Sequence, residues 1–337
     1  MQILKSVSLK PYNTFGIDVP AEFYAELTHE AELQELCSDP KLPAEKNILG
    51  GGSNVLLTKP VAGLTIRNCL KGIAVLEENE EHVWLQVKAG EIWHELVLHT
   101  IARNLSGLEN LSLIPGCVGA APMQNIGAYG AEVKDTIDEV TAWHMFDQEY
   151  VSFRNSECRF GYRDSIFKHE LKNKVVITSV TFRLNKSHQL NTSYGAVQQQ
   201  LELMGVSVPT IKSVSDAVIA IRSSKLPDPK QIGNAGSFFK NPTITHQQFV
   251  DLQERYPTIP SYPVGDDMVK VPAGWLIEQT NWKGYREGEA GVHSKQALVL
   301  VNYGNAKGEE IWSLSEKILK SVKEKFDIEL EREVNVW

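Results

Sequence analysis

The spacing of hydrophobic residues along the chain changes between two periods, which predicts a protein of mixed helices and strands. Residues 175–184 read VVITSVTFRL, an alternation typical of a strand with one buried face. Trp93, Leu96, Val97 and Ile101 instead recur at helical spacing. Further strands are predicted at 63–67, 73–76, 82–87, 140–145 and 296–302. Further helices are predicted after caps at Thr28 and Thr245, from Ser215, over 273–279, and through Ile311, Leu314, Ile318, Val322 and Phe326.

A proline-containing segment separates two parts of the chain. Residues 225–230 read KLPDPK and follow the helix predicted to begin at Ser215. Proline disfavours helix in the residue before it, so we predict an extended linker and a domain boundary here. Single cores stop growing at about 250 to 300 residues. A chain of 337 residues is therefore expected to form two or three domains.

Residues 110–131, NLSLIPGCVGAAPMQNIGAYGA, contain no charged side chain, whereas charged residues make up 23% of the chain. Four glycines allow close approach of another group to the main chain, and two prolines stiffen the path between them. This composition suits a wall against a large flat ligand. An ordinary buried loop is the alternative that the stretch itself leaves open.

The triplet Gly50–Gly51–Gly52, followed by Ser53 and Asn54, lies between two strand-like runs rather than at the start of a helix. A dinucleotide-binding Rossmann fingerprint requires strand, glycine turn and helix in that order. The triplet fails that test. Successive N–H groups of a glycine turn still form a nest for anions such as phosphate, while a plain hairpin turn is the alternative.

Composition excludes several classes of function. The formal net charge of −8 argues against a general nucleic-acid or anionic-membrane binder. The N-terminal residues lack a signal-peptide core, and glycines and prolines make 110–131 a poor spanning helix, so we expect a cytoplasmic protein without a membrane segment. The four cysteines form no CxxC pair, which disfavours a zinc site or a disulfide framework, and we expect no metal.

Three stretches carry candidate chemistry. Residues 157–168, ECRFGYRDSIFK, contain Arg163, whose planar guanidinium can bind a carboxylate or phosphate through two hydrogen bonds. Residues 234–242, NAGSFFKNP, place Ser237 among apolar neighbours without a histidine partner, which suits a proton donor better than a nucleophile. Glu331 and Glu333 alternate in a strand-like segment. Ion pairing or surface solvation remains the alternative for each of these charged groups.

Nine stretches, in order, resemble UDP-N-acetylenolpyruvoylglucosamine reductases, flavoenzymes of peptidoglycan precursor synthesis. They are NTFGI, LGGGSNVLL, GLENLSLIPGCVGAAPMQNIGAYG, ECRFGYRDSIFKHE, the Tyr194–Gly195 pair, RSSKLPDP, NAGSFFKNP, AGWLIEQ and LEREV. The Tyr194–Gly195 pair indicates the longer, type I branch. The resemblance covers nearly the whole chain.

This resemblance implies an α+β chain with a two-subdomain FAD-binding fold of the vanillyl-alcohol oxidase or p-cresol methylhydroxylase type and a C-terminal substrate-binding domain. The expected boundaries are 1–68 with 327–337 for the first subdomain, 69–224 for the second and 225–326 for the substrate domain. FAD is expected to bind non-covalently, at Gly50, Gly51, Gly52, Ser53, Asn54, Ile114, Pro115, Gly116, Gly119, Ala120, Gln124, Asn125, Gly127 and Arg163. Substrate contacts are expected from Tyr129, Tyr194, Arg222, Lys225, Asn241, Tyr262, Lys270 and Gln296.

The resemblance also implies a reaction. NADPH is expected as co-substrate, and the enolpyruvyl ether of a UDP-sugar is reduced in a monomeric enzyme that uses no nucleic acid or membrane partner. Arg163 and Glu333 are expected to stabilise the enolate and Ser237 to protonate it. Two departures concern Ala120 with Ala121, where backbone N–H donation to the flavin is expected to replace a hydroxyl, and Arg332, which stands where relatives often have proline.

Two other functions are also compatible with these residues. A flavin oxidase of an alcohol or sugar shares the implied fold, and Cys117 keeps a covalent flavin link open in that case. A nucleotide-sugar binding module without catalysis would be colourless. The colour of the purified protein and its bleaching by NADPH separate these hypotheses.

Overall fold

The computed structural model describes residues 2–337. Within that range the helices are α1 Leu33–Ser38, α2 Trp93–Ala102, α3 Gly195–Leu203, α4 Ile211–Lys225, α5 His246–Arg255, α6 Ala273–Gln279 and α7 Gly308–Phe326. The strands are β1 Leu4–Ser8, β2 Pro20–Leu27, β3 Lys46–Leu49, β4 Val55–Leu56, β5 Val61–Asn68, β6 Ile73–Glu78, β7 His82–Lys88, β8 Gly127–Ala128, β9 Ala131–Glu132, β10 Ile137–His144, β11 Glu149–Arg154, β12 Val175–Asn185, β13 Gly233–Asn234, β14 Thr243–Thr245, β15 Tyr262–Val264, β16 Met268–Lys270, β17 Arg286–Glu287, β18 Ala290–Val292, β19 Leu300–Asn302 and β20 Asn335–Val336.

The chain divides into two compact units. The first unit contains residues 1–7, 20–52 and 61–224, and the second contains 8–19, 53–60 and 225–337. Segments from distant parts of the sequence thus complete each unit. The three-domain division expected from the sequence stays a prediction.

The first unit contains two larger sheets. One has the order β1-β2-β5-β3, with β2 and β3 both parallel to β5, and α1 packs against it through Leu33 and Leu36. The other has the order β11-β10-β12-β7-β6 and its pairs are antiparallel. Helix α2 buries Trp93 in the core of this unit, with its ring 5.9 Å from Phe182 in an edge-on contact. Helices α3 and α4 share a separate core.

The second unit is built around a sheet of order β13-β19-β18-β17 and the long helix α7. The hydrophobic stripe of α7, expected from its helical spacing, is buried as predicted. Strand β20 pairs in parallel with β4, so the C-terminal residues bond to the segment that follows the glycine turn. A small sheet of order β14-β16-β15 completes the unit.

Several sequence predictions need correction at their ends. Helix α4 begins at Ile211 rather than Ser215, because Thr210 and Ser213 exchange capping hydrogen bonds of 2.8 and 3.1 Å at its start. Helix α1 begins only at Leu33, since the carboxylate of Glu32, and not Thr28, accepts the N–H groups before it. Of the predicted strand 296–302 only β19 forms.

Other predictions are confirmed. Helix α5 begins after Thr245, whose hydroxyl accepts the Gln248 N–H, and α6 spans the predicted residues 273–279. The glycine triplet lies between β3 and β4 and begins no helix. This agrees with the prediction that it is not a Rossmann fingerprint. None of the helices in residues 2–337 combines the length and the apolar character that crossing a membrane requires.

Candidate active site

The glycine turn lies directly against the uncharged segment, within the first unit. A Cβ atom placed on Gly51 would be 2.9 Å from the Gly116 Cα, which is closer than real side chains approach. Gly52 and Gly116 have φ of +61° and +115°, values that favour glycine. A Cβ on Gly50 would make only ordinary contacts, at 3.9 Å from Cys117 and 4.0 Å from Ala120. The close approach therefore requires glycine at 51, and the positive φ favours glycine at 116.

Main-chain hydrogen bonds hold the residues that follow Gly116 in the uncharged segment to the residues before α2. Val118 and Gly119 donate to the carbonyls of Glu91 and Ala89, each at 2.9 Å. Gly119 also lies so close to Ala89 that a Cβ would be 2.6 Å from the Ala89 side chain. Ile114 packs against the core and Pro115 is exposed.

Backbone N–H donation to the flavin at Ala120 and Ala121 stays a prediction, and the structure gives both N–H groups other partners. Both N–H groups are already used within the protein. They donate to the carbonyls of Cys117 and Val118 at 3.0 Å in a single helical turn.

Asn125 is fully buried, and its side chain serves the protein itself. Its Nδ2 donates to Gly161 O at 2.9 Å and to Glu132 Oε2 at 3.1 Å, while its Oδ1 accepts the Lys134 N–H at 3.1 Å. Its φ of 44° lies in the left-handed region, which asparagine tolerates better than most residues. The sequence points to a polar contact with the cofactor, whereas these bonds show a side chain that joins three segments. Its place in the cofactor site stays a prediction, as does that of half-buried Gln124.

Arg163 lies beside this network. Its Nη2 donates to the Gly127 carbonyl at 2.7 Å and its Nη1 contacts the Asn125 carbonyl at 3.4 Å. The guanidinium also lies 5.4 Å from the centre of the Tyr162 ring. A Cβ on Gly127 would be 2.9 Å from Glu132 Cγ, 3.0 Å from the Ala131 carbonyl and 3.2 Å from Arg163 Nη1, so this position favours glycine. A half-buried cation is thus fixed against main-chain carbonyls, a geometry that can receive an anion.

Three of the residues predicted to bind substrate form one cluster in the first unit. The rings of Tyr129 and Tyr194 meet edge to face at 5.6 Å. The Tyr129 hydroxyl bonds to Arg222, whose Nε donates to the Leu113 carbonyl at 3.2 Å. Burial lowers the pKa of the Arg222 guanidinium, which Tyr129 opposes, and Arg163 lowers that pKa further by charge repulsion. Arg163 and Arg222 are thus two cations of this unit that repel each other, and an anion would relieve their repulsion.

In the second unit, the segment that carries Ser237 and the segment that carries Glu333 lie side by side and are joined by hydrogen bonds. Ser237 follows Gly236, whose φ is +71°, and precedes the fully buried Phe238. The Phe238 N–H donates to Leu298 O at 2.7 Å, and its carbonyl accepts the Glu333 N–H at 2.9 Å. Both candidate catalytic side chains are half-buried. The buried phenylalanine thus fixes the main chain on either side of them.

Arg332, the unusual neighbour of Glu333, is tied to α7. Its guanidinium lies 3.7 Å from the centre of the Trp312 ring, and its Nε donates to Ser315 Oγ at 2.9 Å. It also pairs with Glu316. Where a proline would stiffen the chain by itself, this arginine fastens the segment through its side chain.

The other residues expected to bind substrate fall at three places of the second unit. Asn241 Oδ1 accepts the Ala273 N–H at the start of α6, and Gln296 Oε1 lies near Gly274 of the same helix. Tyr262 and Lys270 face each other across β15 and β16. Lys225 ends α4 and is exposed.

Two residues expected to bind the cofactor also lie in the second unit. Ser53 and Asn54 precede β4, and Asn54 Nδ2 donates to the Glu333 carbonyl at 3.3 Å.

One residue beside Arg222 belongs to none of the stretches that the sequence singles out. His94, on α2, accepts the Leu113 N–H at its Nδ1 at 3.0 Å. Burial lowers the pKa of this histidine, Glu95 raises it and Arg222 lowers it. A lone histidine beside a tryptophan on a helix carries no motif, so only the folded chain reveals the contact.

Two family models match the chain. Residues 21–149 match the model described as an FAD binding domain. Residues 228–337 match the model described as UDP-N-acetylenolpyruvoylglucosamine reductase, C-terminal domain. With the glycine turn and its wall in the first match, these findings define the class as an FAD-dependent oxidoreductase.

Full-length relatives share the second of these names. A UDP-N-acetylenolpyruvoylglucosamine reductase of Flavobacterium johnsoniae is 52% identical over 337 residues, which cover 100% of both chains. One from Chromobacterium violaceum is 51% identical over 99% of this chain and 98% of its own. The crystal structure of UDP-N-acetylenolpyruvylglucosamine reductase from Thermus caldophilus superposes with a TM-score of 0.70 at 25% identity, covering 100% of this chain and 99% of that one.

The chain belongs to the UDP-N-acetylenolpyruvoylglucosamine reductase family. The resemblance found in the sequence and the fold class expected from it are confirmed, as is the flavoprotein class. The individual site residues stay predictions.

Proposed function

We propose that this protein reduces UDP-N-acetylglucosamine enolpyruvate to UDP-N-acetylmuramate, with NADPH as reductant and FAD as cofactor, in peptidoglycan precursor synthesis. The observation that carries the proposal is the 52% identity, over the complete length of both chains, to a protein of that name. A cytoplasmic location and a monomeric state stay predictions of the same interpretation.

The residues of the first unit fit FAD. Gly51 approaches Gly116 so closely that a side chain at position 51 is excluded, which leaves main-chain groups to face a ligand. The segment 110–131 has no charged side chain to oppose an isoalloxazine ring. Burial raises the pKa of the Cys117 thiol, so this cysteine is a weak nucleophile at neutral pH and non-covalent binding is favoured.

FAD, when bound, supplies a hydride from NADPH for the terminal alkene carbon of the substrate. The proposed task of the chain is to stabilise the negative charge that then forms on the adjacent carbon and its carboxylate. Arg163 is proposed to pair with that charge, since its guanidinium is already oriented by the Gly127 carbonyl. Glu333 is proposed to assist as a protonated acid or through a water molecule.

Ser237 is proposed to complete the reaction by giving its hydroxyl proton to the carbanion, which yields the lactyl ether. The bonds of Phe238 support this role, because they fix the main chain next to the hydroxyl. Arg222, Tyr129 and Tyr194 are proposed to hold the diphosphate and sugar of the substrate, and so are the residues of the second unit named for that purpose.

Anaerobic spectroscopy of the purified protein tests the proposal. We expect a yellow protein that NADPH bleaches and that UDP-N-acetylglucosamine enolpyruvate reoxidises. Reoxidation by air alone, with no response to the enolpyruvyl substrate, would support an oxidase instead. A colourless protein with affinity for nucleotide sugars would support a binding module.

A further inference from the structure

We propose that His94 is a positioning residue for the diphosphate-binding arginine, and that it acts through the main chain of Leu113. The inference rests on the proposed function, because it assigns a diphosphate ligand to Arg222. All of the residues involved lie in the first unit. The proposal adds to the substrate contacts a residue that touches no substrate atom.

Both main-chain groups of Leu113 are engaged by side chains. Its N–H donates to His94 Nδ1 at 3.0 Å, and its carbonyl accepts the Arg222 Nε–H at 3.2 Å. Leu113 has a φ of +58°, in the left-handed region that a leucine rarely adopts. The strained conformation needs support from its surroundings, and the bond to His94 supplies it.

The residue before Leu113 is hydrogen-bonded to α4, the helix that carries Arg222. The hydroxyls of Ser112 and Ser215 are 2.7 Å apart and fully buried, and Ser112 also donates to Glu109 O at 2.7 Å. Ser215 and Arg222 are separated by about two turns of α4, so they lie on one face of it. The segment is thus fixed to this face at two points, and the second depends on the Leu113 carbonyl.

The guanidinium of Arg222 is oriented by two partners. Its Nε donates to the Leu113 carbonyl, and the guanidinium also bonds to the Tyr129 hydroxyl. A guanidinium binds a diphosphate best when its plane is fixed, because its donors then match the phosphate oxygens without further loss of freedom. Release of the Leu113 carbonyl would free that plane to rotate.

The bond requires a neutral histidine, because a protonated imidazole has no acceptor nitrogen. The charged groups that influence His94 are Glu95 on its own helix and Arg222 on α4. Burial and Arg222 favour the neutral form and place the pKa of His94 below its ordinary value of 6.5. Acid should therefore weaken substrate binding, by removing the acceptor and adding a positive charge that displaces Arg222.

Four proteins test the proposal: wild type, His94→Phe, His94→Asn and His99→Phe, all as holoenzyme. Phenylalanine fills the space without an acceptor, whereas asparagine offers an oxygen near the position of Nδ1 and does not titrate. His99 is on the same helix and has no bond to Leu113, so it controls for altered packing of α2. The probe is UDP-N-acetylglucosamine, whose diphosphate has no group that titrates near pH 6.

For His94→Phe we expect Kd for the probe and KM for the enolpyruvyl substrate to rise about tenfold, the equivalent of about 1.4 kcal/mol. Bleaching by NADPH should keep its rate. His94→Asn should restore affinity and remove the acid loss of binding that wild type shows, and His99→Phe should bind as wild type.

Equal affinity of wild type and a folded, yellow His94→Phe would overturn the inference while leaving the proposed function intact. If His94→Phe does not fold, the pH profile decides, and a wild-type affinity that does not fall at any acidic pH at which the protein stays folded would overturn the inference. A wild-type protein that turns over no enolpyruvyl substrate and does not bind the probe would overturn the proposed function and this inference together.

Discussion

The residues proposed for the cofactor and those proposed for the substrate in the second unit are held in different ways. Around the glycine turn, main chain meets main chain at distances that exclude side chains, and buried Asn125 joins three segments. In the second unit, Tyr262 is 51% exposed and Lys225 lies at a helix end. A cofactor that stays bound can occupy a rigid wall, whereas a substrate must enter and leave in each cycle. The two regions should therefore differ in how they respond to mutation.

We expect the largest effect from a residue of the proposed proton transfer, rather than from a residue of either binding region. Ser237→Ala removes the proposed proton donor without changing the main chain between Gly236 and Phe238. We expect reoxidation by the enolpyruvyl substrate to slow by about 10²- to 10⁴-fold, and bleaching by NADPH to continue at its normal rate. Stopped-flow measurement of each half-reaction checks this, with Ser152→Ala on an exposed strand as control. Equal damage to both half-reactions would remove Ser237 from its proposed role.

The next comparison uses one asparagine from each unit. Asn125→Ala should lower the free energy of unfolding by about 3 to 5 kcal/mol, because three half-buried partners lose their bonds to this buried side chain and alanine fits a φ of 44° poorly. Asn241→Ala loses a single bond to the start of α6 and should cost about 1 kcal/mol. Urea unfolding at a fixed FAD concentration measures both. Similar losses would contradict the contrast between the units.

Substitutions at two glycines test whether the close approach of the glycine turn to Gly116 is needed for stability. Gly51→Ala places a methyl group 2.9 Å from the Gly116 main chain, and we expect a loss of about 1 to 3 kcal/mol together with easier release of FAD. Gly50→Ala adds a methyl group with contacts of 3.9 and 4.0 Å only, so the protein should keep its stability. Thermal unfolding and flavin retention on dialysis are the measurements. Equal stability of the two variants would show that the approach at Gly51 is not limiting.

The sequence predicted more of the fold than of the site, for a physical reason. Helices such as α7 and α2 are predictable because one local period decides which face is buried. The bond of His94 to Leu113 spans 19 positions and that of Arg222 to Leu113 spans 109, so no local pattern contains them. Asn125 illustrates the same point, since its residue type suggested a ligand contact and only the folded partners reveal a structural role. Motif resemblance supplied the candidate residues, and tertiary structure supplied their orientation.

The smallest expected effect concerns how the second unit holds its C-terminal segment. Arg332 is 17% exposed in its side chain and lies against Trp312, whereas Arg286 makes a similar contact with Tyr303 but is 51% exposed. Cation–π contacts contribute about 0.5 to 1 kcal/mol when exposed and about 2 when desolvated. We therefore expect Arg332→Met to lower the free energy of unfolding by about 1 to 2 kcal/mol, with a modest fall in kcat as Glu333 loses its fixed neighbour. Arg286→Met should stay within about 1 kcal/mol of wild type and keep its kcat. If Arg332→Met matched Arg286→Met in both measurements, the side chain of Arg332 would not be needed to hold the segment that carries Glu333.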